Sequence, residues 1–169
     1  MRNKTLIFIW LFEIACIALF VVFDLWSKTY YFKLIEANGE IVLINKVLYF
    51  IVAENTGAGF SLFSNNASAL GTFSFVMVSV IFVVLICLTN LRYKTLKFAL
   101  VLIVAGGLGN AIDRVQFGFV RDFIDLRGIN YPIFNLADVE LVIGMILLVV
   151  FISFIYRPEP AKAKVKVLN

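Results

Sequence analysis

Four long apolar runs divide this chain, and charged or polar segments separate each run from the next. A helix needs about 20 apolar residues to cross the hydrocarbon core of a bilayer. The four runs approach that length, and proline interrupts none of them. The pattern therefore predicts an all-α membrane protein with four transmembrane helices. We expect these helices over about residues 5–23, 70–88, 97–114 and 137–156.

The long segment between the first two spans has a different pattern. It contains short runs rich in Val, Ile, Phe and Tyr, which are typical of strands. Asn38-Gly39 before them is a turn signal. We therefore expect a small extracytoplasmic β-sheet between helices 1 and 2, within about residues 38–64. The predicted strands are 41–44, 47–53 and 59–63.

The basic residues indicate the orientation of the spans. Nine of the fifteen lysines and arginines lie before span 1, between spans 2 and 3, or after span 4. Because cytoplasmic loops carry the excess of Lys and Arg, both termini are expected in the cytoplasm. We expect one integral membrane domain over residues 1–169, with an uncleaved first span and a mobile basic tail at 157–169. The net charge of +4 is then a topological signal and not a nucleic-acid-binding one.

The amino-acid composition limits the class of protein and the catalytic groups that it can use. Hydrophobic residues make up 62% of the chain and the mean hydropathy is +0.99, whereas soluble domains are about 45–50% apolar. This excludes a soluble enzyme. The chain has no histidine, which excludes Ser-His and Cys-His catalysis and His-ligated zinc. Carboxylates are therefore the main acid–base groups, and we expect no metal or organic cofactor.

The rise of a helix, about 1.5 Å per residue, converts sequence positions into depths in the membrane. Counted from the flanking basic residues, Asp24, Asp113 and Asp138 all lie about 24 to 30 Å from the cytoplasmic side. Asp122 can reach the same level from the segment 113–135, whose glycines and proline argue against a continuous helix. Ionisable groups at such a depth usually pair with one another or line a polar cavity.

Two interpretations of these acids remain open. Asp24 with Lys28, and Asp113 with Arg114, can be interfacial ion pairs. Alternatively, two carboxyl groups form a site in which one acts as a base toward water while the other, protonated, polarises a carbonyl. That is the chemistry of an aspartic peptidase, but spacing does not separate it from a carboxylate-lined transporter. The positions of the acids in the sequence also do not identify which two of them would form the catalytic pair. The candidates are Asp24, Asp113, Asp122, Asp125 and Asp138.

Two further acids need a separate explanation. Glu13 lies midway through span 1 and is expected either to carry a proton or to face a polar neighbour in the bundle. Glu140 follows Asp138 by two residues, so the two side chains point about 200° apart on a helix. Glu140 is therefore expected to be a supporting or interfacial group and not a catalytic one.

Five short motifs at the ends of the predicted spans show a resemblance to a known family. The chain resembles the bacterial lipoprotein signal peptidases, which are aspartic peptidases that process prolipoproteins. The motifs extend from residue 24 to residue 138 in the family's order, and the size and topology also match. They are Asp24-Leu-Trp-Ser-Lys28, Asn55-Thr-Gly-Ala-Gly-Phe60, Gly106-Gly-Leu-Gly-Asn-Ala-Ile-Asp-Arg114, Val120-Arg-Asp-Phe123 and Phe134-Asn-Leu-Ala-Asp138.

The resemblance implies a catalytic pair made of Asp122, from the V-x-D-F motif, and Asp138, which closes F-N-x-A-D. It also implies a set of residues that support the pair or bind the substrate. This set comprises Asp24, Lys28, Asn55, Gly57, Gly109, Asn110, Asp113, Arg114 and Asn135.

Physical roles can be assigned to some of these residues. Arg114 offers a rigid donor fork that suits a carboxylate, or a lipid or peptide carbonyl. For Gly106, Gly107 and Gly109, close packing of helices through small residues is at least as good an explanation as a role in the site.

The resemblance implies an intramembrane aspartic endopeptidase that removes signal peptides from prolipoproteins by cleaving before a diacylglyceryl-modified cysteine. The expected partners are the membrane-embedded prolipoprotein and membrane lipids, without nucleic acid, and the enzyme is expected to be a monomer. The expected location is the bacterial cytoplasmic (inner) membrane, multi-pass, with the active site toward the outer face. The alternatives are a proton-coupled small transporter and a non-catalytic lipoprotein-binding membrane protein.

Overall fold

The computed structural model describes residues 2–57, 67–89 and 93–156. Within these residues, four helices are long and apolar enough to cross a membrane, and three strands form one small sheet. The elements in chain order are α1 Arg2–Asn38, β1 Ile41–Ile44, β2 Leu48–Asn55, α2 Ala67–Cys87, α3 Lys94–Phe117, β3 Val120–Asp125 and α4 Leu136–Val150.

The first helix is much longer than predicted. Its expected end at about residue 23 is wrong, because α1 continues as a helix to Asn38. The apolar run ends at Asp24, but that acid pairs with Lys28 one turn later, and neither glycine nor proline interrupts the helix there. Gly39 ends it, with φ +82° and its N–H donating to the Ile35 carbonyl at 2.7 Å. This is the left-handed arrangement that glycine adopts readily after a helix.

The third helix forms the centre of the bundle. Its residues 99–106 are buried, and α1, α2 and α4 all pack against it. At Gly106, an added Cβ would overlap the backbone carbonyl of Ala137 on α4. At Gly144 on α4, an added Cβ would lie 2.7 Å from the Ile103 side chain. Of the two explanations offered for Gly106 from the sequence, the structure therefore supports close packing of helices through small residues.

The sheet is antiparallel in the order β1-β2-β3. β1 and β2 form where the apolar pattern predicts strands, but β3 comes from the segment between α3 and α4. The prediction that the sheet lies only between helices 1 and 2 is therefore wrong. Five of the six residues of β3 are buried, which hides the alternation that identifies a strand exposed on one face. The predicted strand 59–63 and the tail 157–169 lie outside the described residues.

The inner part of α1 carries the one charged residue within its apolar run. Glu13 accepts a hydrogen bond from Lys97 Nζ at 2.8 Å, and both side chains are only 7% exposed. Because Lys97 lies in the first turn of α3, this ion pair joins the N-terminal half of α1 to the start of α3. Of the two expectations for Glu13, the structure supports a polar neighbour in the bundle.

Candidate active site

The F-N-x-A-D motif forms the beginning of α4. Asn135 is the N-cap residue, and its side-chain oxygen accepts from the N–H of Asp138 at 3.0 Å. The Asp138 carboxylate accepts in return from the N–H of Asn135 at 3.1 Å. The first N–H groups of a helix lack partners within it, and this reciprocal capping box satisfies two of them. The N–H of Ala137 donates to Asp24 Oδ1 at 2.9 Å.

The V-x-D-F motif forms β3, and Asp122 lies opposite Ala53 in the register of β2. Asp122 is 2% exposed. Its Oδ1 accepts from the side-chain amide of Asn135 at 2.5 Å, and its Oδ2 accepts from that of Asn55 at 2.9 Å. Two asparagines, one at the end of β2 and one at the start of α4, therefore hold this carboxylate.

The second carboxylate of the predicted pair is held in the same way. Asp138 Oδ1 accepts from the side-chain amide of Asn110 on α3 at 2.8 Å, while Oδ2 accepts from the backbone of Asn135. Asn135 consequently donates to both Asp122 and Asp138. The fold thus brings together two acids that are 16 residues apart in the chain.

Lys28 helps to orient the Asn110 amide, whose oxygen also accepts from the Asn135 amide at 3.1 Å. Its ammonium is fully buried and donates to Asp24 Oδ2 at 2.7 Å and to Asn110 Oδ1 at 3.0 Å. Because an ammonium only donates hydrogen bonds, the oxygen of this amide must face Lys28. The amide nitrogen is then directed at Asp138.

The expected pairing of Asp113 with Arg114 is wrong. Asp113 pairs with Arg121 at 2.8 Å instead. Arg114 donates from Nη2 to the Gly57 carbonyl at 3.0 Å, and the Gly57 N–H donates to Asn55 Oδ1 at 3.1 Å. Arg114 therefore holds the end of β2 and, through Asn55, the position of Asp122.

Cations divide the five candidate aspartates into two groups. In the part of the chain that the structure describes, neither Asp122 nor Asp138 has an ion-pair partner, and each accepts only from neutral N–H groups. The other three each accept a hydrogen bond from a cation. These pairs are Asp24–Lys28 at 2.7 Å, Asp113–Arg121 at 2.8 Å and Asp125–Arg127 at 2.9 Å.

The electrostatic setting of Asp122 favours its protonated form. Burial, and to a smaller extent the neighbouring Asp138, raise the pKa of Asp122 to about 6, against the opposing effects of hydrogen bonds from Asn55 and Asn135 and of the Lys28 charge. A carboxyl group that accepts a proton near neutral pH beside a second carboxylate suits general acid–base chemistry.

Two further positions, Gly109 and Glu140, lie near Asp24. A Cβ at Gly109 would overlap the Asp24 carboxylate and approach Ala137 Cβ to 3.3 Å, so glycine leaves the room that Asp24 needs. Glu140 is buried on α4, and its electrostatic neighbours are Asp24 and Lys28. Its Oε2 has no hydrogen-bond donor among the described residues.

The structure therefore joins all the predicted site residues in one region. Sequence reasoning assigned no role to Arg121, which makes four hydrogen bonds to Asp113. No sequence signal identified it, because five of the six residues of β3 are buried and their pattern does not distinguish a strand from a loop.

Known proteins match this chain over most of its length. The family model described as "Signal peptidase (SPase) II" matches residues 16–154. A lipoprotein signal peptidase of Clostridium tetani is 35% identical over 144 residues, covering 83% of this chain and 91% of that protein. A lipoprotein signal peptidase of Borrelia duttonii is 36% identical over 149 residues, covering 82% of this chain and 87% of that protein.

A solved structure has the same fold. It is titled as a bacterial membrane enzyme at 2.3 Å resolution and is 30% identical to this chain, with a TM-score of 0.67. The match covers 88% of this chain and 93% of that one. The resemblance inferred from the five motifs is thereby confirmed, and the chain belongs to the signal peptidase II family.

Proposed function

We propose that this protein is an intramembrane aspartic endopeptidase that removes the signal peptide from prolipoproteins, with Asp122 and Asp138 as its catalytic pair. Membership of the signal peptidase II family, together with relatives named lipoprotein signal peptidase, supports a multi-pass bacterial membrane peptidase that cleaves lipoprotein signal peptides. The aspartic mechanism and the cleavage site before the diacylglyceryl-modified cysteine are the further steps that we propose.

The observation that carries the aspartic mechanism is the distribution of cations. Every other candidate aspartate accepts a hydrogen bond from a Lys or Arg side chain, whose positive charge compensates the carboxylate. Among the residues that the structure describes, Asp122 and Asp138 accept only from asparagine amides and a backbone N–H. Two carboxyl groups in such a setting share one proton, because a second negative charge nearby is unfavourable.

The reaction follows from this shared proton. The ionised carboxylate removes a proton from a water molecule, whose oxygen attacks the scissile carbonyl, while the protonated carboxyl donates to the carbonyl oxygen. The carboxyl that took the proton from water then donates it to the peptide nitrogen, and the C–N bond breaks as the intermediate collapses. The proton on the former carbonyl oxygen returns to the other carboxylate. The products are a signal peptide with a new carboxyl terminus and a lipoprotein with a free amino group on its cysteine.

The membrane orientation is part of the proposal. We place both termini in the cytoplasm and the Asp122–Asp138 pair toward the outer face, because nine basic residues flank the opposite ends of the spans. We also propose that the sheet lies at the outer surface of the inner membrane. A scissile bond just after a membrane-embedded signal helix then lies at the depth of the two carboxylates.

The transporter alternative is disfavoured by the pattern of polar groups. Between the Glu13–Lys97 pair at one end of the bundle and Asn110 at the other, α3 carries no polar side chain. The span residues of α2 and those of α4 beyond Glu140 include no Asp, Glu, Lys or Arg. A coupled proton pathway needs such groups across the whole membrane.

A turnover assay on the purified protein tests the proposed function. We expect the protein to cleave a diacylglyceryl-modified prolipoprotein and to leave a matched substrate without the lipid uncleaved. The new amino terminus should be that of the modified cysteine. Binding of the lipidated substrate without cleavage would contradict the proposal and favour the lipoprotein-binding alternative. Mass spectrometry of both products identifies the cleaved bond.

The pH dependence of kcat/KM tests the shared proton. The singly protonated pair is lost when the pH rises above its upper pKa, and burial raises the pKa of Asp122 to about 6. We therefore expect kcat/KM to fall as the pH increases through that region. In Asn55→Ala, Asp122 loses a hydrogen bond that lowers its pKa, so the falling limb moves to higher pH.

Asn38→Ala is the matched control for the pH profile. Asn38 is exposed and donates only to the Leu34 carbonyl within α1, so its replacement leaves the falling limb in place. If kcat/KM falls at the same pH in Asn55→Ala and in the unmodified enzyme, the pKa of Asp122 does not determine the falling limb.

A further inference from the structure

Arg121 directly precedes Asp122 on β3 and faces the other way, because successive residues of a strand point to opposite sides. Its Nη2 donates to Asp113 Oδ1 at 2.8 Å, and its own backbone N–H donates to Asp113 Oδ2 at 3.0 Å. Its Nη1 donates to Thr29 Oγ1 at 2.9 Å. The guanidinium also lies 4.5 Å from the centre of the Phe117 ring. One side chain therefore joins β3 to α1 and to the last turns of α3.

The partner of Arg121 is a buried charge that has a second cation nearby. Asp113 is fully buried, and Lys28 Nζ lies 3.6 Å from its Oδ2. That distance exceeds the 2.7 Å and 3.0 Å at which Lys28 donates to Asp24 and Asn110. With Asp113 neutralised by the arginine fork, Lys28 remains directed at Asp24 and Asn110.

We propose that Arg121 is a positioning residue for the hydrolysis: its pairing with Asp113 keeps Lys28 on the Asn110 amide, which in turn keeps that amide donating to Asp138. The inference rests on the proposed function, since it assigns Arg121 a role in the reaction of the Asp122–Asp138 pair. Arg121 itself touches neither substrate nor either carboxylate of the pair.

Loss of the guanidinium changes the balance of charges around Lys28. Asp113 would then be a buried carboxylate with no hydrogen-bonded cation, and a buried charge without a partner is strongly unfavourable. Lys28 can relieve this by moving toward Asp113 and away from Asn110. The Asn110 oxygen then keeps only one of its two described donors, the Asn135 amide at 3.1 Å. The Asn110 amide is held less firmly against Asp138, so kcat falls while substrate binding changes little.

The same loss shifts the pH dependence in a defined direction. The ammonium of Lys28 lowers the pKa of Asp122, so movement of Lys28 toward Asp113 and away from Asn110 raises that pKa and favours the protonated form of Asp122. The falling limb of the pH profile then moves to higher pH. The charged groups that face the pair or Arg121 from the surrounding elements are Lys28 on α1, Glu54 on β2, Asp113 and Arg114 on α3, and Asp138 on α4.

The test compares Arg121→Gln and Arg121→Lys with the unmodified enzyme, using a diacylglyceryl-modified prolipoprotein. For Arg121→Gln we expect a loss in kcat of between about 10-fold and 100-fold, little change in KM, and a falling limb at higher pH. Arg121→Lys keeps the charge but not the fork, so its limb stays near that of the unmodified enzyme. Asp113→Asn combined with Arg121→Gln recovers part of kcat, since the neutral amide no longer attracts Lys28.

Arg127→Gln is the matched control, because Arg127 is a half-exposed arginine that pairs with Asp125 and Glu40 at the far end of the sheet. The inference is overturned if the activity of Arg121→Gln decreases only in proportion to the amount of folded protein and its kcat/KM falls at the same pH as in the unmodified enzyme. If Arg121→Gln does not fold, the inference is also overturned when the falling limb of the Arg121→Lys pH profile lies at a different pH from that of the unmodified enzyme. Failure of the unmodified enzyme to cleave overturns the proposed function, whereas normal cleavage by Arg121→Gln overturns only the role of Arg121.

Discussion

Asp122→Asn and Asp138→Asn are each expected to abolish cleavage of a lipidated prolipoprotein, with a loss in kcat/KM of at least about 10³-fold. An amide in either position can neither share the proton nor remove one from water. The replacement also turns one acceptor of the pair into a donor, which then faces the N–H groups of Asn55, Asn110 or Asn135. The measurement is single-turnover cleavage, with enzyme in excess over substrate.

Asp125→Asn is the matched control for the catalytic pair. Asp125 lies on the same strand as Asp122 and is similarly buried, but it pairs with Arg127 at the other end of β3. We expect it to retain activity close to that of the unmodified enzyme. The cooperative thermal transition must persist in all three variants. Full activity in a folded Asp122→Asn or Asp138→Asn variant would refute the assigned pair.

Lys28→Met is expected to cause the largest loss of stability among single substitutions around the site. The ammonium is fully buried and lies within 4 Å of both the Asp24 and Asp113 carboxylates. Removing one partner from a buried ion pair costs about 3–5 kcal/mol, because the remaining charge is left without compensation. We expect the free energy of unfolding in detergent micelles to decrease by about that amount.

Two variants control for the loss of a lysine side chain. Lys33→Met lies five residues further along α1, where the side chain is exposed, and should leave the free energy of unfolding nearly unchanged. Adding Asp24→Asn to Lys28→Met removes one of the uncompensated carboxylates and should recover part of the stability. A Lys28→Met protein as stable as the Lys33→Met protein would show that the buried charges are compensated in another way.

The spans and the start of α4 could be predicted from sequence because their causes are local. An apolar run of about 20 residues has few alternatives to a membrane helix. Asn135 and Asp138 have the spacing of a capping box, so the position of Asp138 in the first turn follows from four consecutive residues. The common depth of Asp24, Asp113 and Asp138 follows in turn from the constant rise of a helix.

The extension of α1 and the strand β3 could not be predicted in the same way. Hydropathy marks where an apolar run ends, but a helix continues until a residue such as Gly39 ends it. β3 has a strand partner, β2, more than 60 residues earlier in the chain. Since most of its residues are buried, including charged ones, their pattern does not distinguish a strand from a loop.

By itself, the sequence determined that carboxylates are the main acid–base groups available, since histidine is absent, and that five aspartates were candidates. Which of the five are neutralised was decided only by the tertiary structure. Asp113 pairs with Arg121 and not with its chain neighbour Arg114. Neighbouring side chains on a helix point in different directions, whereas β3 brings Arg121 back to the end of α3. Charge compensation depends on distances in space, so Asp122 and Asp138 become distinct from the other three only when the chain is folded.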